Sequence, residues 1–284
     1  MSKDSAGLPA FDNSAIDALP PLKQLVAALD MRARKSLGQN FLFDLNLTRR
    51  IARSAGKLDG TTIEVGPGPG GLTRALLLEN AERVIAVEKD FRASNVLASL
   101  LHAAGDRLQL VEGDALKTPL WETGESPRRI VANLPYNIAT SLLIQWLGHA
   151  TAFETMTLMF QREVAERITA QPGDSAYGRL SILTGWIADS AILFDIPPEA
   201  FVPAPKIISS VVQIRPLAEP RYPCDRMALE TVTRIAFGQR RKMLRASLKP
   251  IGGEALLQDA GIDPQCRPQD LDIEAFCRLA RAIA

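Results

Sequence analysis

The chain has 284 residues, of which 46% are hydrophobic and 23% are charged, and its formal net charge is +1. This composition is ordinary for a soluble globular protein, and the length suits one large domain or a large and a small one. No apolar run is long enough to span a membrane and no basic-then-apolar leader is visible, so we expect a cytoplasmic protein that binds no membrane. Because the net charge is small, a nucleic-acid-binding surface must be a local basic patch.

Few residues in the chain are suited to disulfide bonds or to zinc. There are three cysteines, an odd number, and none of them forms a Cys-x-x-Cys pair. The only two histidines lie far from them in the sequence. We therefore expect reduced thiols, no disulfide and no metal site. The residues concerned are Cys224, Cys266, Cys277, His102 and His149.

The N-terminal region contains a basic cluster before the first sheet strand. Residues 1–20 show no periodicity and predict a frayed terminus, whereas residues 22–29 have helical spacing. Arg32, Arg34 and Lys35 follow, and they lead into a stretch with a glycine, two side-chain amides and a phenylalanine. This stretch is either a solvated turn or a loop that contacts phosphate on one side and a small ligand on the other.

The middle of the chain alternates between strand and helix signals, as in a doubly wound α/β sheet. After Pro216 the strand signals stop and short helices follow. We therefore predict a doubly wound sheet and then a small, all-helical domain that starts near residue 216. The predicted strands are 61–65, 83–87, 108–111, 130–132, 157–160, 191–194 and 207–214. The predicted helices of the last part are 227–237, 240–248, 253–260 and 273–282.

A glycine-rich turn follows the first of these strands. Gly66, Gly68 and Gly71 satisfy the pattern Gly-x-Gly-x-x-Gly, and Glu88 ends the second strand. An acidic residue about 20 positions after such a turn binds a ribose hydroxyl in dinucleotide-binding proteins. The motif alone is weak, and it leaves open an oxidoreductase that uses NAD.

Two details of the same region favour a different cofactor. Pro67 and Pro69 remove backbone N–H donors from a turn that would need them to hold a pyrophosphate. Asp114 lies near the end of the third strand, where a carboxylate can accept a hydrogen bond from an adenine amine. A glycine turn, a ribose-binding Glu88 and an adenine-binding Asp114 together predict the pocket of a class I methyltransferase.

The run Asn133-Leu134-Pro135-Tyr136 follows the apolar residues 130–132. Proline cannot donate to a sheet and favours an extended residue before it, so the run presents its side chains at the carboxyl end of a strand. The amide oxygen and nearby carbonyl groups can accept hydrogen bonds from an exocyclic amine while the ring stacks on the base. The run predicts a site for a flipped-out adenine or cytosine, and the alternative is a plain turn.

From about residue 30 to its end, the chain resembles the ribosomal RNA adenine N6,N6-dimethyltransferases, most closely the bacterial ones that act on small-subunit (16S) RNA. The resemblance rests on six runs, whose combination is highly specific. They are residues 35–42 (KSLGQNFL), 63–68 (IEVGPG), 131–138 (VANLPYNI), 160–167 (FQREVAER), 201–206 (FVPAPK) and 237–242 (FGQRRK).

The resemblance implies an extension at residues 1–30, a class I methyltransferase (Rossmann-like) domain at 31–215 and a helical RNA-binding domain at 216–284. Asn133 and the Leu134 carbonyl would hold N6 of the target adenine, Pro135 would shape the motif, and Tyr136 and Phe201 would sandwich the base. The residues implied to bind S-adenosylmethionine are Asn40, Leu42, Gly66, Gly68, Glu88, Asp114 and Asn133.

The implied activity is the transfer of two methyl groups to each of two adjacent adenosines in the 3′-terminal hairpin loop of 16S rRNA. The implied partner is this RNA in the assembling 30S subunit, and we expect a monomer. A non-enzymatic assembly factor or nucleic-acid-binding relative of the same fold is an alternative. Methylation of large-subunit RNA, as in antibiotic resistance, is a close neighbour within the enzyme class.

A basic stretch in the helical domain is the main candidate for RNA contacts. It contains no acidic residue, and spacings of four place Arg241, Arg245 and Lys249 on one face of a predicted helix. The stretch is either a phosphate-binding surface or a solvated helix face. The candidate RNA-binding residues are Arg32, Arg34, Lys35, Lys206, Arg240, Arg241, Lys242, Arg245 and Lys249.

Overall fold

A computed structural model describes residues 11–28, residue 33 and residues 38–284. The described chain forms two compact units. The first contains the residues up to Arg162 together with Leu193–Ile214, and the second contains Glu163–Ile192 and Arg215–Ala284. Within the described ranges, no helix combines the length and the apolar character needed to cross a membrane.

Helices and strands alternate through most of the chain, as the sequence patterns predict. Up to Gln161 they are α1 (Ser14–Asp17), α2 (Leu22–Ala28), β1 (Phe41–Leu42), α3 (Leu45–Ser54), β2 (Thr61–Val65), α4 (Gly71–Leu78), β3 (Arg83–Glu88), α5 (Ala93–Ala104), β4 (Leu108–Glu112), β5 (Arg128–Asn133), α6 (Ala139–Leu147) and β6 (Thr155–Gln161). After it come α7 (Arg162–Thr169), α8 (Arg179–Ile187), β7 (Ala188–Ile196), β8 (Phe201–Val202), β9 (Ser209–Pro216), α9 (Arg226–Gly238), α10 (Leu244–Ser247), α11 (Gly253–Asp259) and α12 (Ile273–Ile283).

The main sheet has seven strands in the order β4-β3-β2-β5-β6-β9-β7. Strands β4, β3, β2, β5 and β6 are parallel, and β9 runs antiparallel to β6. Strands β3 and β4 lie on one side of β2, and the next strands along the chain, β5 and β6, lie on its other side. Parallel sheets open a crevice at the carboxyl ends of the strands where the order reverses, which here lies between β2 and β5. This confirms the predicted Rossmann-like fold.

A second, two-stranded sheet pairs β1 with β8 in antiparallel fashion, with Leu42 opposite Phe201. Phe41, Leu42 and Phe201 are all buried in the same hydrophobic core as the helices that pack on one face of the main sheet. The pairing therefore holds residues 41–42, which follow the predicted ligand loop, against the body of the first unit.

Residues 16–20 of the N-terminal region contact the rest of the first unit. Ile16 is only 1% exposed and belongs to the core. The Arg74 guanidinium donates hydrogen bonds of 2.9–3.1 Å to three backbone carbonyl groups within residues 17–20. The prediction of a frayed terminus is thus wrong for residues 11–20, because one buried side chain and one arginine supply contacts that a search for periodicity does not detect.

The second unit is helical, but it begins earlier than the predicted boundary at residue 216. It includes residues 163–192 because α8 packs against α9 and α12. The indole N–H of Trp186, in α8, donates to the backbone carbonyl of Tyr222 at 2.8 Å. The backbone N–H of Leu217 donates to the carbonyl of Ile187 at 2.8 Å. Helices α7 and α8, separated in sequence from the C-terminal helices, therefore belong to the same compact unit.

Candidate active site

A cavity of about 170 Å³ lies at the crevice between the carboxyl ends of β2 and β5. Its wall is formed by residues 38–42, the glycine turn after β2, the ends of β3 and β4, and the residues after β5. All seven residues implied to bind the cofactor line this one cavity, although up to 93 positions separate them in the chain. They are Asn40, Leu42, Gly66, Gly68, Glu88, Asp114 and Asn133.

The glycine turn owes its shape to three left-handed residues. Gly66, Gly68 and Gly70 have φ angles of 70°, 52° and 91°, a region that side chains with a Cβ rarely adopt. A Cβ atom on Gly68 would also lie 3.0 Å from the ring of Phe41. On Gly71, the first residue of α4, it would lie 2.4 Å from the carbonyl oxygen of Leu42. The glycines therefore let β1 approach the turn closely and keep the floor of the cavity free of side chains.

Glu88 is held in place by backbone donors at the end of β3. Its Oε2 accepts a hydrogen bond from the Gly68 N–H at 3.0 Å, and its Oε1 accepts one from the Asp90 N–H at 2.8 Å. Burial raises the pKa of this carboxyl group, and the backbone donors oppose that rise. The side chain thus joins the glycine turn to the end of β3 and presents a nearly buried carboxyl group to the cavity.

Asp114, which follows β4, forms an ion pair across the cavity wall. The Nζ of Lys89 lies 2.9 Å from Asp114 Oδ2, and Oδ1 accepts a hydrogen bond from the Leu116 N–H at 3.1 Å. The hydrogen bond from Lys89 holds the pKa of Asp114 below its ordinary value. Asp114 is therefore ionised at neutral pH and its oxygens keep lone pairs for a further donor. The sequence interpretation did not assign Lys89 to the site.

Glu64 is the second site residue that the sequence interpretation missed. It lines the cavity from β2, is 1% exposed, and its Oε2 makes no hydrogen bond within the described residues. Burial raises the pKa of Glu64 to about 8; the Thr73 hydroxyl opposes this rise, and the charge of Glu88 adds to it. A glutamate between Ile63 and Val65 in a fully buried strand is the available sequence signal, because burying a carboxyl group is costly.

Asn133 and Asn40 connect the two sides of the cavity mouth. The Asn133 Nδ2 donates to the backbone carbonyl of Asn40 at 2.9 Å. Because Nδ2 points towards Asn40, the Oδ1 acceptor points away from Asn40. Leu134 and Pro135 also line the cavity. The predicted motif therefore lies at the edge of the cofactor cavity, with its acceptor oriented by a contact from the N-terminal loop.

The two aromatic residues predicted to sandwich a base are placed differently. Tyr136 is half-buried, its hydroxyl lies 2.5 Å from the Ser209 Oγ, and burial raises its pKa. Phe201 is 2% exposed and packs in the core with Phe41 and Leu42. Neither ring is among the described groups that line the cavity. Phe201 presents no open face to a base in this conformation, so its stacking role stays a prediction.

The donor and acceptor groups of the cavity fit S-adenosylmethionine, which is a cationic adenosine derivative. Among the described residues of the wall, Glu64, Glu88 and Asp114 supply three carboxyl groups and Lys89 supplies one cation. Glu64 Oε2 is a buried acceptor without a donor, as expected of a group that a positively charged ligand completes. In the described part of the chain, no cluster of three His, Cys, Asp or Glu residues is arranged to hold a metal ion.

The candidate RNA-binding residues are only partly within the described chain. Arg32, Arg34 and Lys35 lie outside it, and Lys206 is exposed in the first unit. In the second unit Arg241, Lys242, Arg245 and Lys249 are exposed, whereas Arg240 is half-buried beside the ring of Phe237.

The predicted helix 240–248, however, is wrong. Helix α9 ends at Gly238, and α10 contains only four residues. The N–H groups of Leu244 and Arg245 donate to the carbonyls of Cys266 and Pro264, at 2.8 and 3.1 Å, instead of to the preceding turn. The basic residues therefore extend along a turn, a short helix and a further turn, and do not share one helix face.

Several known proteins are similar to this chain in sequence and in fold. The family model described as ribosomal RNA adenine dimethylase matches residues 30–284. The ribosomal RNA small subunit methyltransferase A of Rhodospirillum rubrum is 55% identical over 269 residues, which cover 94% of this chain and 93% of the relative. The protein of the same name from Chelativorans sp. is 56% identical over 275 residues, which cover 95% of this chain and all of the relative.

Two solved structures agree with this grouping. The 23S rRNA methyltransferase ErmE superposes with a TM-score of 0.65 at 29% identity, covering 86% of this chain and 99% of ErmE. A dimethyladenosine transferase from Plasmodium falciparum superposes with a TM-score of 0.69 at 26% identity, covering 84% of this chain and 95% of that protein. The chain therefore belongs to the ribosomal RNA adenine dimethylase family, and it is an S-adenosylmethionine-dependent rRNA adenine dimethyltransferase.

Proposed function

We propose that this enzyme dimethylates N6 of two adjacent adenosines in the 3′-terminal hairpin loop of 16S rRNA, within the assembling 30S subunit. The observation that carries the proposal is the position of Asn133, whose amide is oriented by Asn40 at the edge of the cofactor cavity. The names of the relatives from Rhodospirillum rubrum and Chelativorans support the small subunit as the target.

The chain binds the cofactor through the cavity wall. Glu88 would accept hydrogen bonds from the ribose and Asp114 one from the adenine amine, and the glycine turn would leave room for the methionine end. When bound, S-adenosylmethionine supplies a methyl group that its sulfonium already activates. The protein therefore has to position the target amine and to exclude competing water, and it has no need to activate the leaving group.

Asn133 and Leu134 orient the target nitrogen. The N6 lone pair of adenine is delocalised into the ring, which makes the amine a poor nucleophile. Hydrogen bonds from both N6 hydrogens to the Asn133 Oδ1 and the Leu134 carbonyl favour a pyramidal nitrogen, and the lone pair then points towards the methyl carbon. Proton loss follows the transfer and goes to solvent, so none of these groups acts as a general base.

Tyr136 provides an aromatic face for the base and for the positive charge that develops on it. Because burial raises the pKa of its phenol above the ordinary value of 10, the ring remains neutral at physiological pH. Phe201 completes the sandwich once the base enters. A shift of the β1–β8 pair would expose its ring, since that pair is only two residues long in each strand.

The RNA backbone is bound by exposed basic residues in both units, and the protein acts as a monomer in the cytoplasm. Lys206 contributes from the first unit, and the exposed cations between residues 240 and 249 contribute from the second. Arg32, Arg34 and Lys35 are further candidates for phosphate contacts. These contacts give affinity that depends on salt, and the choice of adenosine comes from the base site.

Methyl mapping on ribosomal particles tests the proposal. Particles of 30S and 50S from cells that lack the enzyme are incubated with the protein and with S-adenosylmethionine tritiated in its methyl group. We expect label only in 16S rRNA, as two neighbouring dimethyladenosines in the 3′-terminal hairpin, and less label, mainly as monomethyladenosine, with the Asn133→Ala variant. Label in the 23S RNA of 50S particles would instead assign the enzyme to the large subunit.

A further inference from the structure

Glu64 is a buried acid in the wall of the cofactor cavity that the proposed methyl transfer does not use. Strand β2 is buried along its whole length, and Glu64 is 1% exposed within it. Its Oε2 has no partner at hydrogen-bond geometry in the described structure. The hydroxyl of Thr73, in α4, is near enough to act on Glu64 and partly opposes the rise in its pKa that burial causes. A buried acid with an unsatisfied oxygen therefore lies in the wall of this cavity.

The charges around Glu64 are unbalanced. Strand β3 contributes Glu88 to the same wall and is followed by Lys89, β4 is followed by Asp114, and β5 contributes the neutral Asn133. Lys89 is engaged with Asp114 at 2.9 Å. The electrostatic effect of Glu88 acts to disfavour a second negative charge at Glu64. Without a cationic ligand the favoured form of Glu64 is consequently the neutral acid.

We propose that Glu64 senses the positive charge of the cofactor: its carboxyl group gives up a proton when a cationic adenosyl ligand binds, and takes the proton back when the neutral product remains. The inference rests on the binding of S-adenosylmethionine in this cavity. It goes beyond that binding because it assigns the distinction between substrate and product to one residue.

The chemistry of the two ligands explains why a single carboxylate suffices. S-adenosylmethionine carries a sulfonium, whereas S-adenosylhomocysteine carries a neutral thioether and is otherwise the same molecule. In a desolvated site an added positive charge strongly favours an ionised neighbour, and its loss favours the protonated form. Glu64 thus stabilises the bound cofactor more than the product, which promotes product release between the two methyl transfers.

Proton release can be measured directly by titration calorimetry in two buffers that differ in ionisation enthalpy. The ligands are S-adenosylmethionine, S-adenosylhomocysteine and sinefungin, a stable analogue in which an ammonium replaces the sulfonium. For the unaltered protein at pH 7 we expect a substantial fraction of a proton to be released with both cationic ligands, and less with the neutral one. The affinity for the cationic ligands should rise by up to about tenfold per pH unit between pH 6 and 8.

The Glu64→Gln variant removes the titrating group and keeps its shape. We expect it to bind S-adenosylhomocysteine within about threefold of the unaltered protein, to release no proton, and to lose about tenfold of its preference for cationic ligands. The Asp114→Asn variant is the matched control. Because Lys89 keeps the pKa of Asp114 low, Asp114→Asn should lower the affinity for all three ligands alike without changing proton release.

Different outcomes contradict different conclusions. Proton release that persists in Glu64→Gln would assign the titration to Glu88 or another group and overturn the inference, and so would an unchanged preference for cationic ligands. Binding to the unaltered protein without proton release would also overturn it. A failure of that protein to bind any adenosyl ligand would instead contradict the cofactor assignment. Thermal unfolding of Glu64→Gln without ligand shows whether the variant is folded.

Discussion

The side-chain amide of Asn133 donates a hydrogen bond to the backbone carbonyl of Asn40, with 2.9 Å between the nitrogen and the oxygen. This contact joins the end of β5 to the loop before β1 across 93 positions of sequence. It occupies the donor side of the amide, so the acceptor side is available for a substrate amine. The orientation of the proposed methyl-accepting site therefore depends on the N-terminal loop as well as on the motif itself.

The ratio of mono- to dimethyladenosine in the product tests the role of the Asn133 Oδ1 acceptor. We expect Asn133→Ala to slow the second transfer more than the first, because a monomethylated N6 has one hydrogen left and depends on fewer acceptors. Monomethyladenosine should then accumulate, as measured by mass spectrometry of digested product RNA. Asn46→Ala, which changes an exposed amide of the first unit outside the cavity wall, is the control. An unchanged ratio of mono- to dimethyladenosine in Asn133→Ala would contradict this role.

Loss of the Glu88 carboxylate should weaken cofactor binding. We expect Glu88→Ala to reduce the binding free energy of S-adenosylmethionine by about 1.5–3 kcal/mol, the scale of a hydrogen bond to a charged group. Calorimetric titration measures the change. Glu112→Ala is a matched control, since Glu112 lies opposite Glu88 in the β3–β4 register but is exposed and outside the cavity wall. If Glu88→Ala and Glu112→Ala bind S-adenosylmethionine with equal affinity, Glu88 does not contribute to cofactor binding.

The exposed cations after α9 should contribute to RNA binding. Reversing Arg241 and Arg245 to Glu should reduce methylation of 30S particles, and each lost phosphate contact should lower the slope of log affinity against log salt by roughly 0.7–0.9. Cofactor affinity should not change. The double variant of Arg215 and Arg234 to Glu, which reverses two other exposed charges of the second unit, is the control. If both double variants methylate 30S particles normally, the cations form only a solvated surface.

The ring of Tyr136 should matter more than its hydroxyl. Tyr136→Phe and Ser209→Ala each remove the same hydroxyl contact, and we expect both variants to keep most of the transfer rate. Tyr136→Ala should lose about 1–3 kcal/mol of base stacking, measured as weaker RNA binding or slower single-turnover transfer. Tyr222→Ala in the second unit is the control for loss of a half-buried tyrosine. Normal transfer by Tyr136→Ala would refute the stacking role.

The stability of the ligand-free protein should decrease as pH rises through neutrality. The pKa of Glu64 is raised from 4.5 to about 8 in the folded state, so the folded state binds a proton more tightly than the unfolded state. Its stabilising contribution is fully present below pH 4.5 and is lost as pH rises through about 8. The melting temperature should therefore differ less between pH 6 and pH 8.5 in Glu64→Gln than in the unaltered protein. The same difference in both proteins would show that Glu64 does not titrate there.

Much of the fold follows from local sequence patterns. The patterns predict the strands β2, β3, β4, β5 and β6 to within about two residues at each end. The inner parallel strands appear as short apolar runs because they are buried on both faces. The edge strand β4 is partly exposed, but it still contains Leu108, Leu110 and Val111. The glycine turn and the motif at residues 133–136 were also readable, since glycine and proline restrict the backbone wherever they occur. These signals belong to single segments and need no knowledge of the rest of the chain.

Tertiary structure alone decided how those segments meet. The pairing of Lys89 with Asp114, the orientation of Asn133 by Asn40 and the burial of Glu64 depend on strand order, which no local pattern encodes. The basic stretch is a second example. Its spacing predicts one helix, but the N–H groups of residues 244 and 245 donate to carbonyls of residues 266 and 264, so no continuous helix forms. Periodicity reports the preference of a segment in isolation, and contacts between distant segments are strong enough to override it.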